Sequence, residues 1–211
     1  MTSEVEVADI RPLGPEDEAR ADFYALLSRL YATAPDAPLL AAIAAAPPLA
    51  PADGAAEAAA LASAWDALRA ASGTVDPAQA GEEFQTLFIG VGRSEVSLYA
   101  SHYLGPQSGR PLAEIRAALA ALGLARRAAS SEFEDHFSVL LETMRMLVAG
   151  NADRHPAPIA EQRAFCERHV MPWALDCCAA ISQCPLANYY LKVASFTYCF
   201  LAIERDSFAI D

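Results

Sequence analysis

Histidine, cysteine and lysine side chains are spread over this chain without completing a catalytic motif. The sequence has four histidines, five cysteines and one lysine, Lys192. No nucleophile triad, glycine-rich phosphate loop or H-E-x-x-H zinc motif is present in full. Cys166 and His169 are the one pair spaced for a shared helical face near a metal, and no C-x-x-C motif accompanies them. We therefore predict no catalytic residue, no metal site and no cofactor.

The adjacent residues Asp135 and His136 form the most suggestive polar pair. At a helix start the dipole stabilises a carboxylate and lowers the basicity of an imidazole, as in an acid–base pair. Neighbouring helical side chains point about 100° apart, however, so these two are badly placed to bond to each other. For His136 three roles stay open: packing at the core edge or pairing with Glu132, recognising a ligand, and catalysis or metal binding.

The element expected to carry this pair is a helix over residues 132–149. Ser131 and Glu134 have the spacing of a capping box at its start. Helical periodicity predicts one buried face, formed by Phe133, Phe137, Leu140, Leu141, Met144, Leu147 and Val148. A strip beside that face contains Glu132, His136, Val139 and Thr143. We expect the helix start and this strip to be accessible.

Apolar periodicity and breaker residues predict the other helices. One runs from Pro15 to Pro35, and one that starts at Pro77 carries Phe84, Leu87 and Phe88 toward the core. Further helices are expected over 39–46, 53–72, 112–122, 159–169 and 186–204, with an interruption near Pro172. Between them, residues 90–111 form a long glycine-containing loop of the kind that often carries function.

Composition favours an all-α, single-domain bundle in the cytoplasm. Hydrophobic residues make up 54% of the 211 residues and charged residues 20%, which excludes intrinsic disorder. A net charge of −12 argues against a nucleic-acid partner. The apolar run from Tyr189 to Ile203 is shorter than the roughly 20 residues of a membrane span. With no secretory signal and reduced cysteines, we predict a flexible tail over 1–14 and one helical domain over 15–211.

Four segments follow one another in an order that resembles a known family. They are EEFQTLFIG, LYASHY, SEFEDHFSVLLETMRML and FCERHVMPW, and a long aromatic-rich helix comes after them. This arrangement, from Arg20 to Glu204, resembles the TorD/DmsD/NarJ family of redox-enzyme maturation chaperones. The chain departs from the family pattern at Leu98, Ala100 and Glu134, where the family often has a proline, an acid and a proline.

The resemblance implies a TorD-like helical bundle that acts as a cytoplasmic chaperone and not as an enzyme. Its partner would be the apo-form of a molybdopterin oxidoreductase catalytic subunit, bound in many members through the twin-arginine signal peptide until the cofactor is inserted. Family members include monomers and domain-swapped dimers, so a homodimer is compatible with it. Neither nucleic-acid binding nor stable membrane insertion is expected.

A twin-arginine peptide pairs two arginines with an apolar stretch, so its receptor needs carboxylates beside an apolar groove. The predicted client site supplies charge from Glu132, Asp135 and Glu142 and an apolar wall from Tyr99, Tyr103, Val139 and Phe84, and Ser101 and His136 complete it. Two alternatives remain. One is a helical metal- or redox-dependent enzyme using the histidines and cysteines, and the other is a permanent accessory subunit of an oxidoreductase.

Overall fold

The computed structural model describes residues 13–50, 56–90, 92–105, 110–124, 133–151 and 154–210. The α-helices in these ranges are α1 Pro15–Ala32, α2 Ala37–Ala45, α3 Ala56–Ser72, α4 Pro77–Phe84, α5 Ala100–Leu104, α6 Pro111–Ala121, α7 Phe137–Ala149, α8 Ile159–Phe165, α9 Met171–Gln183 and α10 Tyr189–Ile210. Wider π-helical turns follow α4 and α8, at Gln85–Ile89 and Cys166–Val170. In this part of the chain there is no strand, and the all-α prediction is confirmed.

Proline and aspartate set the starts of the N-terminal helices. Pro15 opens α1 with three acidic residues in its first turn, where the dipole favours negative charge. Asp36 caps α2 by accepting a hydrogen bond from Leu39 N at 2.9 Å, and Asp76 caps α4 through Ala78 N at 2.9 Å. These local signals explain why the predicted helix starts at Pro15 and Pro77 are confirmed.

The core is one cluster of buried side chains to which the helices contribute. Helix α1 packs along α7, and α10 packs against α3 and α9. A line of rings connects the layers: Tyr31 lies 4.8 Å from Phe137, Phe137 lies 5.0 Å from Trp173, and Trp173 stacks on Tyr103 at 5.5 Å. Through these rings α5 and the segment before α7 are placed on the core.

A buried ion pair holds the first and last helices together. Arg20 on α1 donates to both carboxylate oxygens of Glu204 on α10, at 2.7 and 2.9 Å. Tyr24 donates to Glu204 at 2.8 Å, and Gln162 on α8 accepts from Arg20 at 3.1 Å. This Glu204 network satisfies its charges within the chain.

Several predicted boundaries are wrong. Helix α7 begins at Phe137 and not at residue 132, because residues 133–136 turn to pair with the segment before α5. The long loop contains the short helix α5, and α10 begins at Tyr189 and extends to Ile210. The predicted helix 159–169 widens into the π-helical turn before Pro172, which stands in the first turn of α9.

None of the described helices is long and apolar enough to cross a membrane. The run from Tyr189 to Ile203 belongs to α10, where Tyr190, Val193 and Phe196 have no exposed surface. Its apolar character is therefore that of a core helix, as predicted. Of the predicted tail over 1–14, residues 1–12 lie outside the described ranges.

Candidate functional site

The turn before α7 lies against the residues that lead into α5, and backbone hydrogen bonds join the two. Phe137 N donates to Leu98 O at 2.8 Å, and Ala100 N donates to Asp135 O at 3.0 Å. Tyr99 and His136 form an isolated antiparallel bridge between them. We call residues 133–136 the Asp135 turn; its position is fixed by pairing with a segment about 35 residues earlier in the chain.

Asp135 is directed inward, with 2% of its surface exposed. One carboxylate oxygen, Oδ2, accepts a hydrogen bond from Ser101 N in the first turn of α5 at 3.2 Å. The negative charge therefore lies where the backbone of α5 needs an acceptor. The expectation that this residue is accessible is wrong, because its side chain is buried. Its carboxylate instead holds the start of α5 in position.

His136 is the N-cap of α7 and is 5% exposed. Its Nδ1 accepts from Ser138 N at 3.2 Å and lies 2.7 Å from Ser138 Oγ, so this geometry leaves the ring proton on Nε2. The ring meets Tyr99 edge-on at 4.9 Å. Its burial agrees with one of the three roles left open, packing at the core edge. Its role as the N-cap of α7 was not predicted. Thr143 of the same predicted strip is also buried, with 1% exposed.

Phe133 was assigned to the core, and that prediction is wrong. Because α7 starts four residues later, Phe133 lies outside the helix and is 52% exposed. Its ring lies 6.4 Å from that of the half-buried Tyr99, and Ser101 on α5 is exposed. An aromatic surface therefore flanks the buried Asp135 carboxylate.

The remaining predicted site residues fall into different settings. Val139 is half-buried, and Glu142 is paired with Arg145 at 2.8 Å. The hydrogen bond from Arg145 to Glu142 raises the pKa of that arginine. Phe84 is 5% exposed and packs on Phe88 and Tyr190, so its assignment to an accessible wall is wrong. Glu132 lies outside the described residues.

Tyr103 anchors the end of α5 to α9. Its hydroxyl donates to Ser97 O at 2.9 Å, and the Cys177 thiol donates to the same carbonyl at 3.6 Å. Burial raises the pKa of Tyr103 and brings that of Cys177 to about 12, so both groups stay protonated at neutral pH. These contacts hold the segment that Asp135 faces.

A cleft of about 250 Å³ opens at the other end of α5, and sequence reasoning missed it. It lies between α5, α6 and the start of α9, and its lining residues are Leu104, Pro111, Glu114, Ile115, Arg168, His169 and Pro172. Helix α6 also contacts the Asp135 turn, because Arg116 pairs with Glu134 at 3.1 Å. In the sequence Phe165 and His169 stand one helical turn apart, and their rings lie 5.0 Å apart.

Metal and thiol chemistry finds little support in the described part of the chain. No group of three or more His, Cys, Asp or Glu side chains is placed there to hold a metal ion. Burial raises the pKa of Cys166 to about 12, as it does for Cys177, which keeps these two thiols from acting as nucleophiles. The geometry instead offers an aromatic surface, a buried carboxylate and a small cleft.

A family model described as nitrate reductase delta subunit matches residues 54–179. No curated protein matches the chain at a significant level. The matched range holds α5, the Asp135 turn and the cleft, and it omits α1 and α10. The family consists of maturation chaperones of molybdoenzymes and not of catalytic enzymes, which confirms the resemblance drawn from the motifs. The chain therefore belongs to the nitrate reductase delta subunit family.

Proposed function

We propose that this protein is a cytoplasmic chaperone that binds the apo-form of a molybdopterin oxidoreductase catalytic subunit through its twin-arginine signal peptide. It holds that client until the cofactor is inserted and the subunit is ready for export. The observation that carries the proposal is the family match over residues 54–179, which spans the Asp135 turn and α5. The protein binds its client without transforming it and without inserting into the membrane.

The surface around the Asp135 turn has properties that suit such a peptide. Phe133 exposes about half of its surface, and Tyr99 lies beside it. An apolar peptide stretch gains roughly 25 cal/mol for each Å² that it buries on such rings. The net charge of −12 attracts a peptide that carries two arginines.

Within this proposal Asp135 is a positioning residue. Its carboxylate accepts from Ser101 N, and its backbone oxygen accepts from Ala100 N, so it keeps α5 beside the exposed rings. A peptide that lies across Phe133 and Ser101 then meets a surface ordered in advance, which lowers the entropy cost of binding.

Calorimetric titration with twin-arginine peptides from the same genome tests the proposal. We expect micromolar binding by the parent protein and about a tenfold loss for Phe133→Ala, since about 1.4 kcal/mol of apolar contact disappears. Leu186→Ala is the matched control, because Leu186 is 51% exposed but lies in the turn before α10. The titrations use separated monomer and dimer fractions, so that a homodimer is detected. Absence of binding to every peptide and to the apo-oxidoreductase would refute the proposal.

Two substitutions of Asp135 separate its charge from its hydrogen bond. Asp135→Asn keeps an oxygen that accepts from Ser101 N, whereas Asp135→Ala removes it. For a positioning residue we expect the asparagine variant to bind within twofold of the parent and the alanine variant to bind about tenfold more weakly. Equal weakening of both variants would instead mean that the carboxylate meets an arginine directly.

The permanent-subunit alternative is tested by purifying the mature oxidoreductase. A chaperone is absent from the cofactor-loaded enzyme and present on the apo-form, while an accessory subunit stays with both. We expect this chain to co-purify with the apo-form alone.

A further inference from the structure

The cleft at the end of α5 is lined by a largely buried polar side chain whose ring nitrogens bond to none of the described residues. His169 is 6% exposed and lines this cleft. Its backbone oxygen accepts from Trp173 Nε1 at 2.9 Å, and its ring contacts Phe165. Neither ring nitrogen has a hydrogen-bond partner among the residues that the structure describes. The nitrogens are not enclosed by the fold, so a ligand group that enters the cleft can bond to the ring.

The charges of the cleft favour a neutral ligand group. Arg168 and Glu114 face each other at 3.4 Å and cancel in net charge. Burial and the nearby Arg168 lower the pKa of His169, so the neutral ring with one donor and one acceptor is favoured at pH 7. Leu104, Ile115 and Pro172 line the same space with apolar surface. A neutral polar group next to an apolar side chain is the chemistry of an uncharged peptide segment.

The cleft is continuous with the Asp135 turn along two helices. On α5, Ser101 meets the Asp135 carboxylate, and Leu104, one turn later, lines the cleft. On α6, Ile115 lines the cleft and the next residue, Arg116, pairs with Glu134 of the turn. One helical turn rises about 5.4 Å, which an extended peptide covers in about two residues.

We propose that the His169 cleft is a second contact for the client's signal peptide, which accepts an apolar side chain of its uncharged stretch while His169 donates to a peptide carbonyl. This inference rests on the proposed function and extends it from the aromatic surface to the far end of α5. The peptide then lies along α5, with one part on Phe133 and the other at His169.

Two peptides and three protein variants test this placement by calorimetric titration. One peptide is the full twin-arginine leader, and the other keeps both arginines but has serine and glycine in place of the apolar stretch. His169→Phe keeps a ring and removes the donor, His169→Gln restores a donor, and His155→Phe is the matched control at an exposed histidine before α8, outside α5 and the cleft lining. We expect His169→Phe to weaken the full leader about fivefold, His169→Gln to recover most of that loss, and the polar peptide to bind all four proteins alike.

Filling the cleft gives a test that does not depend on removing a buried group. Leu104 is half-buried at the rim, and Leu104→Trp places a large ring in the space that the peptide side chain would occupy. We expect this variant to weaken the full leader at least fivefold and to leave the polar peptide unchanged. If both Leu104→Trp and His169→Phe bind the full leader as the parent does, the cleft proposal is overturned and the proposed function stands. If the parent binds neither peptide, both proposals fail.

Discussion

Two parts of the bundle bury ionisable side chains, and they satisfy them differently. In the Glu204 network, side chains from α1, α8 and α10 pair with one another, and Arg20 alone donates to three residues, Glu204, Asp17 and Gln162. At the Asp135 turn and its neighbouring cleft, Asp135 and His136 bond to backbone amides, and the ring of His169 has no partner among the described residues.

The difference separates a stabilising arrangement from a binding arrangement. Side-chain pairs between distant helices resist separation of those helices, because each partner left alone would be a buried charge. Bonds from a turn to the backbone of a five-residue helix fix a local shape and leave aromatic and polar surface open beside it. In the first region, Arg20 and Glu204 lie outside the residues that the family model matches. The second region lies wholly within that range, residues 54–179.

The largest effect is expected from Glu204→Ala. This change leaves Arg20 buried without its main partner, and breaking a buried pair in this way costs about 3–5 kcal/mol of unfolding free energy. Urea unfolding measures it, with Asp206→Ala as the control because that residue forms an exposed pair with Arg205. We expect the refolded variant to bind the leader peptide as the parent does. A loss of peptide affinity without a loss of stability would contradict the division between the two regions.

The second prediction compares the rates at which two buried thiols react. Cys166 contacts the Glu204 network and Cys177 bonds to Ser97 O, and burial raises the pKa of each to about 12. Because the two thiols have similar pKa values, a difference between their labelling rates in dilute urea reports how readily the structure around each one opens. We expect Cys177 to react with iodoacetamide at least tenfold faster than Cys166, as read by mass spectrometry. Equal rates that both follow global unfolding would show that the two regions open together.

Sequence reasoning succeeded where structure is decided locally. Proline starts and apolar periodicity placed α1 and α4 closely, with an acidic first turn in α1, and α10 was identified as a core helix. It failed at the start of α7, where the Ser131–Glu134 capping pattern is overridden by Phe137 N and Ala100 N bonding across to Leu98 O and Asp135 O. Pairing over about 35 residues leaves no periodic trace in the sequence.

For the candidate site, the sequence indicated residues that do meet, but it did not indicate the burial of Asp135 or the cleft at His169. The Asp135–His136 pair and the segment from Tyr99 to Tyr103 do meet, as the predicted client site requires. The hydrogen bond of Asp135 is to Ser101 N on α5, and the cleft at His169 lies between three separate helices, so neither follows from spacing along one helix. Phe84 could have been excluded, because the periodicity that directs Leu87 inward directs Phe84 inward too.

A smaller effect is expected from the cap of α7. His136→Ala removes the acceptor for Ser138 N, and loss of an N-cap costs about 1 kcal/mol. Asp36→Ala removes an equivalent cap from α2, far along the chain from the turn. We expect both variants to lose similar unfolding free energy, while the histidine variant alone loses leader affinity. Loss of affinity in both variants would mean that the caps act through overall stability.

The smallest expected effect is a pH dependence of stability that distinguishes the two regions. Among the described histidines only His136 and His169 are buried, and both belong to the second region. Burial lowers the pKa of His169, with Arg168 adding to the shift and Glu114 on α6 opposing it. The unfolded chain, in which the pKa of a histidine is near 6.5, therefore binds more protons than the folded chain. The contribution of His169 to stability is present above about pH 6.5 and is lost as pH falls through the lowered pKa. We expect urea midpoints measured from pH 7.5 downward to fall less steeply for His169→Phe than for the parent, while His102→Phe follows the parent. The same slope in all three proteins would show that the cleft already supplies His169 with a partner for its charged form.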